Sequence, residues 1–419
     1  AIEDLGSLTG EQSVKVTYDG HETAYSINVG HDYTSSRYEA GVDGANGTFY
    51  QICVCEHEER VEVYGDRKVT INGQAFDSPY ACYDEQFAGY GIEYDVTKGG
   101  DNAEFVITLT AENTGEGGVY AEGLNITTAN NNVIVNIEEG AAKISVDVTA
   151  NSANTVTFNL ESEAQLGNIM FSEAPASAIV AIVDMGENSK IDAISMAIHK
   201  GVNLYLADGA YVGSYTTVDD HHEIIEVSGN ATIGTLTVNG SNGSTTVQGS
   251  GTLTVNGNVV SYKGAFNINA VTIINGTVTS TSSTTILADT TVNGQLLVND
   301  LTVGNAENTV QPELKVNVNG DMEGIKSAGQ TAATMTLKFL SGNVTVTNEV
   351  NANLAVSMNA SGDSIYVGEN ATFRSVNFMQ AYGAWNSAAG TYRVEVYGSL
   401  VAEGDTQSPA GYVASNDPE

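Results

Sequence analysis

Thr235-Leu-Thr-Val-Asn-Gly240 returns unchanged as Thr252-Leu-Thr-Val-Asn-Gly257, and shorter versions follow at Thr272-Ile-Ile-Asn-Gly276 and Thr290-Thr-Val-Asn-Gly294. The asparagines of these pairs are Asn239, Asn256, Asn275 and Asn293, an almost even spacing. The phrase therefore has a period of about 18 residues, of the kind that marks a repeat architecture. Alternating threonine and aliphatic residues make a short strand, because β-branched side chains suit a half-buried pleated surface. Asn-Gly then supplies a corner, since both residues tolerate positive φ. A strand and a corner returning at this interval predict a solenoid in which each coil buries its apolar edge against the next. About ten such coils, roughly 50 Å of stacked strand, fit between residues 202 and 378.

Upstream of the repeat, residues 189–200 read as a short amphipathic helix. Asn188 or Ser189 caps it, Asp192 stands three residues past Ser189 as in a capping box, and Gly201 occupies the C-terminal position. Ile191, Ile194 and Ile198 form one apolar stripe with Lys190 and Lys200 outside it. Such a helix would cover the first open edge of the solenoid, which otherwise invites pairing with other chains.

Three segments here carry a resemblance. They are Ile191-Asp-Ala-Ile-Ser-Met-Ala-Ile-His-Lys-Gly201, Val202-Asn-Leu-Tyr-Leu-Ala-Asp-Gly-Ala-Tyr211 and Ile224-Ile-Glu-Val-Ser-Gly-Asn-Ala-Thr-Ile233. Together they resemble the opening of pectin-lyase-like right-handed β-helix proteins, where a cap helix leads into a strand, a Gly-x-Tyr turn and a second strand. The resemblance runs from residue 191 to residue 233. It implies a right-handed β-helix, but no single activity, because the family includes lyases, hydrolases and binding or surface proteins. Coils at the Asn-Gly spacing are shorter than is usual there, which leaves a two-sided stack of β-arches open.

Residues 1–120 read differently. Short strands at 14–18, 24–29, 49–55, 61–64, 69–72, 92–96 and 105–110 are separated by Gly, Asp and Asn at β-sandwich spacing. The segment is rich in tyrosine, which suits a core, a subunit contact or a sugar-stacking platform. It also holds all three cysteines. Cys53 and Cys55 alternate along one strand and are too close to bridge without strain, so Cys82 is expected to pair with one of them. A Cys/Cys/His metal site with His57 is the alternative, although the spacing matches no common zinc pattern. Residues 121–188 keep the β pattern as a connecting region or early coils, and 381–419 hold one further strand and a tail.

The net charge is −36, with 51 acids against 15 bases, and it is concentrated upstream of the repeat. Residues 1–226 carry 37 acids and 9 bases, whereas residues 227–380 carry 9 and 5. So few cations exclude nucleic-acid phosphate as a partner. They favour solubility, divalent cations or an extracellular or salty setting. No run of apolar residues is long enough for a membrane-crossing helix, so the chain is not expected to span a membrane in that way.

The densest polar constellation is Asp219-Asp220-His221-His222-Glu223, between two strands. Asp219, Asp220 and His222 are the candidate ligands for Ca2+ or another divalent cation, although consecutive residues on an extended chain point to opposite faces, so that at most alternate members converge. The resemblance implies that a lyase would need an Arg or Lys paired with carboxylates, and a hydrolase aspartates clustered on successive coils. Here Lys263, Lys315, Lys326 and Lys338 are scattered, and Asp289, Asp300 and Asp321 stand apart, so no catalytic set is expected. Sequons at Asn46, Asn125, Asn230, Asn239, Asn242, Asn275, Asn343, Asn359 and Asn370 permit glycosylation. The expected protein is all-β: a sandwich-like region, then a β-solenoid with a cap helix near 189–200. Its expected role is a secreted, non-enzymatic protein that polymerises with itself into a surface layer, sheath or filament. A glycan-binding adhesin is the alternative, and a polysaccharide-active enzyme the remote one.

Overall fold

The computed structural model describes residues 10–30, 33–39, 47–53, 57–64, 69–76, 85–95, 104–128, 132–150, 155–172, 180–196, 202–217, 222–238, 243–262, 264–305, 313–325, 335–352, 364–380 and 394–402. Strand accounts for 69% and helix for 3%, so the chain is all-β as its patterning implies.

One inward column defines the solenoid. Ile107, Val135, Phe158, Val183, Leu204, Ile225, Val247, Ile268, Ile286, Val303, Phe339, Val367 and Val396 are successive partners in parallel register. All but the last are buried. Alternation explains this: Glu104–Leu109, Thr155–Leu160 and Val202–Leu206 bury every second residue, so strict period-two sequences put one aliphatic side chain per turn into the lumen. Strands of residues 124–185 join the same ladder, so coils begin well before the Asn-Gly repeat.

Between Leu204 and Val367 the column takes seven steps, where a constant period of about 18 residues would give about nine. Turn length varies: Ile268, Ile286 and Val303 follow one another closely, whereas the chain between Val303 and Phe339 is twice as long as either of those turns. The two identical hexapeptides are also not equivalent. Thr252–Val255 stacks on Asn230–Ile233 before a corner, whereas Thr237 and Val238 lie beyond the corner of their own turn, beside Val260 and Ser261. The turn that links Ile233 to Val255 is therefore longer than the interval between the two phrases. From Val255 through Ile274 to Val292, by contrast, the Asn-Gly interval and the turn coincide. An in–out alternation reads alike on either side of a corner, so the repeated phrase could occupy either.

The helix expected at 189–200 is absent from its described part: Lys190–Met196 is a strand, paired in parallel with Gln165–Ser172 and Tyr211–Thr217. Residues 197–201 lie outside the described set. The apolar three-residue spacing of Ile191 and Ile194 arises at a corner. Leu166 and Ile169, Val212 and Tyr215, and Ile233 and Leu236 repeat it on neighbouring turns, both members inward. A chain bending once between two inward residues mimics half of a helical stripe.

The cap lies elsewhere. Val69–Ile71 runs antiparallel along Leu124–Thr128, and Ile92–Asp95 runs antiparallel along Glu104–Leu109. Phe76, Phe87, Tyr90 and Tyr120 pack edge-to-face behind these strands, with ring centroids 5.1 to 6.1 Å apart. Tyr120 donates its hydroxyl proton to the Tyr90 carbonyl at 2.7 Å. The one α-helix among the described residues is the single turn Ala111–Thr114, closed by a capping box between Thr110 and Asn113. Upstream, residues 10–29 form a two-stranded hairpin, and Tyr33–Glu39, Gly47–Cys53 and Glu58–Tyr64 form a three-stranded antiparallel sheet.

Two ladders hold the Asn-Gly corner. Gly257, Gly276, Gly294 and Gly320 each donate their backbone N–H to the carbonyl of the glycine one turn earlier, at 2.6 Å for the first pair and 3.1 Å for the rest. Beside them, Asn275 donates to Asn256 at 3.3 Å, Asn293 to Asn275 at 2.8 Å and Asn319 to Asn293 at 2.7 Å through their side-chain amides. A Cβ at Gly294 would sit 2.5 Å from the Gly276 carbonyl oxygen, where no side chain fits without moving backbone. Gly294→Ala is therefore expected to destabilise the protein by about 1–3 kcal/mol, the usual cost of overpacking. Gly30→Ala, which meets nothing within 4 Å, is expected to leave stability within ~0.5 kcal/mol. Equal denaturant midpoints for the two variants would contradict this packing.

Candidate functional site

Of the Asp219–Glu223 turn, only His222 and Glu223 are among the described residues. Asp219 and Asp220 lie outside the described residues. His222 opens a strand on the outer face, with Nδ1 2.7 Å from Ser244 Oγ on the next turn. Glu223, one residue on, faces inward at 5% exposure and accepts a hydrogen bond from the Thr245 hydroxyl at 3.0 Å. Tyr215 reaches the same interior from the preceding strand. Burial first, and then the nearby Glu223 charge, push its phenol well above the ordinary tyrosine range. His222 and Glu223 thus serve opposite faces and do not converge on one ion.

Among the other candidates, Cys53 is buried at the end of its strand, while Cys55 and Cys82 lie outside the described residues. So do Asn46, Asn239, Asn242 and Asn359. Asn125, Asn230, Asn275, Asn343 and Asn370 are exposed. Within this set, Asn230 donates to Asp208 at 3.1 Å, and Asn275 both donates and accepts in its ladder.

A feature that sequence reading missed is an acidic corner. Ile137, Leu160, Met185 and Leu206 are inward partners on four consecutive turns, and the chain bends directly after each. The bends carry Glu138, Glu139, Glu161, Glu163, Glu187 and Asp208, all exposed. Hydrogen bonds knit the turns together: Asn188 to Glu163 at 2.7 Å, Asn230 N–H to Asp208 at 2.7 Å, and Glu139 N–H to Glu161 at 3.1 Å. A shallow groove of about 350 Å³ follows this corner, lined by Thr108, Asn136, Glu138, Asn159, Leu160 and Glu161. The available signal was an acid shortly after each inward aliphatic. Those aliphatics recur at unequal intervals, so the acids gather at one corner only once the register is known.

Strand backbones of adjacent turns lie roughly 5 Å apart, and two carboxylates at that separation would repel by about 0.8 kcal/mol in water. Among the described residues, no three His, Cys, Asp or Glu side chains come together as a metal cage. The other organised charge is on the three-stranded sheet, where Arg37 lies 4.0 Å over the Tyr50 ring and donates to both Glu39 and Glu58. Its hydrogen bonds hold both carboxyls below the usual glutamate range.

No protein-family model matches the chain, and neither a curated protein nor a solved structure matches it. No helix among the described residues is long and apolar enough to cross a membrane.

Two outcomes follow from these charges. Replacing Glu161, Glu163 and Glu187 together by glutamine should raise the melting temperature at low ionic strength, and the gain should vanish near ~1 M salt, where the screening length is about 3 Å. A loss of stability at low salt would contradict a repulsive corner. For the Arg37 clamp, both folded pKa values are depressed. Its stabilisation is therefore complete above the unfolded value of about 4.3 and is lost as pH falls through the lower folded values. In a carboxyl NMR titration Glu39 and Glu58 should have midpoints below those of other exposed glutamates, and Arg37→Gln should abolish the difference. Unchanged midpoints would remove the clamp from the account.

Proposed function

We propose that the chain is an extracellular, non-enzymatic structural protein that assembles with copies of itself at a cell surface. The observation that carries the reading is the C-terminal rung. Val394–Val396 and Ser399–Ala402 pair on one side with Ser364–Gln380, and Val396, Tyr397 and Leu400 are 42%, 61% and 39% exposed. An edge with apolar side chains, which no other strand among the described residues pairs, is a template for strand addition. The described rung carries no lysine or proline to discourage pairing, and its single charge is Glu395.

Two further features support assembly. The long ladder, about 12 steps of roughly 4.8 Å, makes a rod of about 58 Å that suits a building block. The acidic corner provides faces that Ca2+ or another divalent cation would bridge, and like charges keep separate rods apart until it does. The kinship with pectin-lyase-like β-helices stands as part of the proposal, carried by parallel coils alone. An adhesin that binds cell-wall or surface glycans is the second reading, favoured by the groove over Asn136 and Asn159.

Sedimentation and negative-stain microscopy across protein concentration, with calcium and with chelator, test the reading. Oligomers or filaments that grow with concentration and with calcium are expected. A strict monomer under every condition contradicts assembly, and specific hits on a glycan array would shift the reading to the adhesin.

A further inference from the structure

The hairpin of residues 10–29 and the open rung each present an apolar face to solvent. The strands Gly10–Tyr18 and His21–Val29 pair in antiparallel register through a tight turn at Asp19 and Gly20, both at positive φ. Val16 stands opposite Thr23, Tyr18 opposite His21, and Tyr25 opposite Val14. Val16, Tyr18 and Tyr25 therefore share one face, and they are 48%, 83% and 57% exposed. Lys15 and Glu22, on the other face, form an ion pair. A two-stranded hairpin is marginal alone, and gains stability from a third strand and a covered apolar face.

The molecule already shows how such a hairpin meets a solenoid end. At the first coil, Val69–Ile71 and Gln74–Phe76 form a hairpin whose first strand lies antiparallel on Leu124–Thr128, sealing that edge. The last coil has no such cover among the described residues, and its apolar side chains are exposed. Resting on the assembly reading above, we infer that the open rung 394–402 of one copy takes the hairpin 10–29 of a second copy. Pairing is antiparallel, and Val16, Tyr18 and Tyr25 cover Val396 and Leu400.

This contact joins two different surfaces, so it propagates head to tail and does not close as a two-fold dimer. It is also small. A hairpin about 30 Å long and 10 Å wide covers roughly 300 Å² per partner, against about 800 Å² in a typical stable complex. A chain of charge −36 repels its copies further. The contact alone is consequently weak, and strengthens with salt or divalent cations.

Complementation tests it. Val16→Glu with Tyr18→Glu spoils the hairpin, and Val396→Glu with Leu400→Glu spoils the rung; circular dichroism checks that each variant keeps its β signal. In analytical ultracentrifugation at high protein concentration and ~1 M salt, the unmodified chain should form a ladder of oligomers. Each variant alone should be monomeric, and their equimolar mixture should stop at a 1:1 dimer. If the unmodified chain and the hairpin variant assemble alike, this contact is wrong while assembly itself stands. A mixture that stays monomeric also overturns the contact. A monomeric unmodified chain overturns both.

Discussion

Every turn of this molecule sits in register on the one before it, at the spacing of a parallel β-ladder, and that single constraint determines which residue each position can hold. Where strands run straight, it asks only for alternation, with one aliphatic or aromatic residue per turn in the column from Ile107 to Val367. Where the chain bends, it is stricter. Backbone must approach backbone, so Gly257, Gly276, Gly294 and Gly320 stack with no side chain between them. The neighbouring asparagines then satisfy one another's amides along the outside. These glycines are half-buried, so a backbone N–H left unpaired at such a bend would cost at most about 1–3 kcal/mol.

The same constraint explains what the sequence made legible and what it hid. Period-two alternation and Asn-Gly pairs exposed the solenoid directly, because both are local. Register is not local. The identical phrases at 235–240 and 252–257 fall on opposite sides of a corner, and nothing within the phrase distinguishes the two placements. Ile191 and Ile194 looked helical because a bend between two inward residues leaves a three-residue gap. The acidic corner stayed hidden for a related reason: turns of unequal length bring Glu138 beside Glu161, and Glu187 beside Asp208, only in three dimensions. In the Asp219–Glu223 turn, the warning that neighbours point apart was sufficient to separate His222 from Glu223.

A stack of this kind is defined at its ends. Interior turns find partners above and below; among the described residues the last turn has a partner on one side alone. Here the first edge is closed by antiparallel strands and an aromatic plug of Phe76, Phe87, Tyr90 and Tyr120, well upstream of the segment that looked like a cap. The last rung keeps apolar side chains in solvent. That asymmetry gives the rod a direction, and the acidic corner gives it a surface on which added cations have something to screen.

Amide hydrogen exchange, read residue by residue at low and high protein concentration, tests this account most directly. The ladder predicts slow exchange through Glu104–Leu109, Lys190–Met196 and Thr252–Val255 at any concentration. Residues 394–402 should exchange quickly in dilute protein and slow as concentration rises. Equal protection of that last rung in dilute and concentrated samples would contradict an open end that other copies fill.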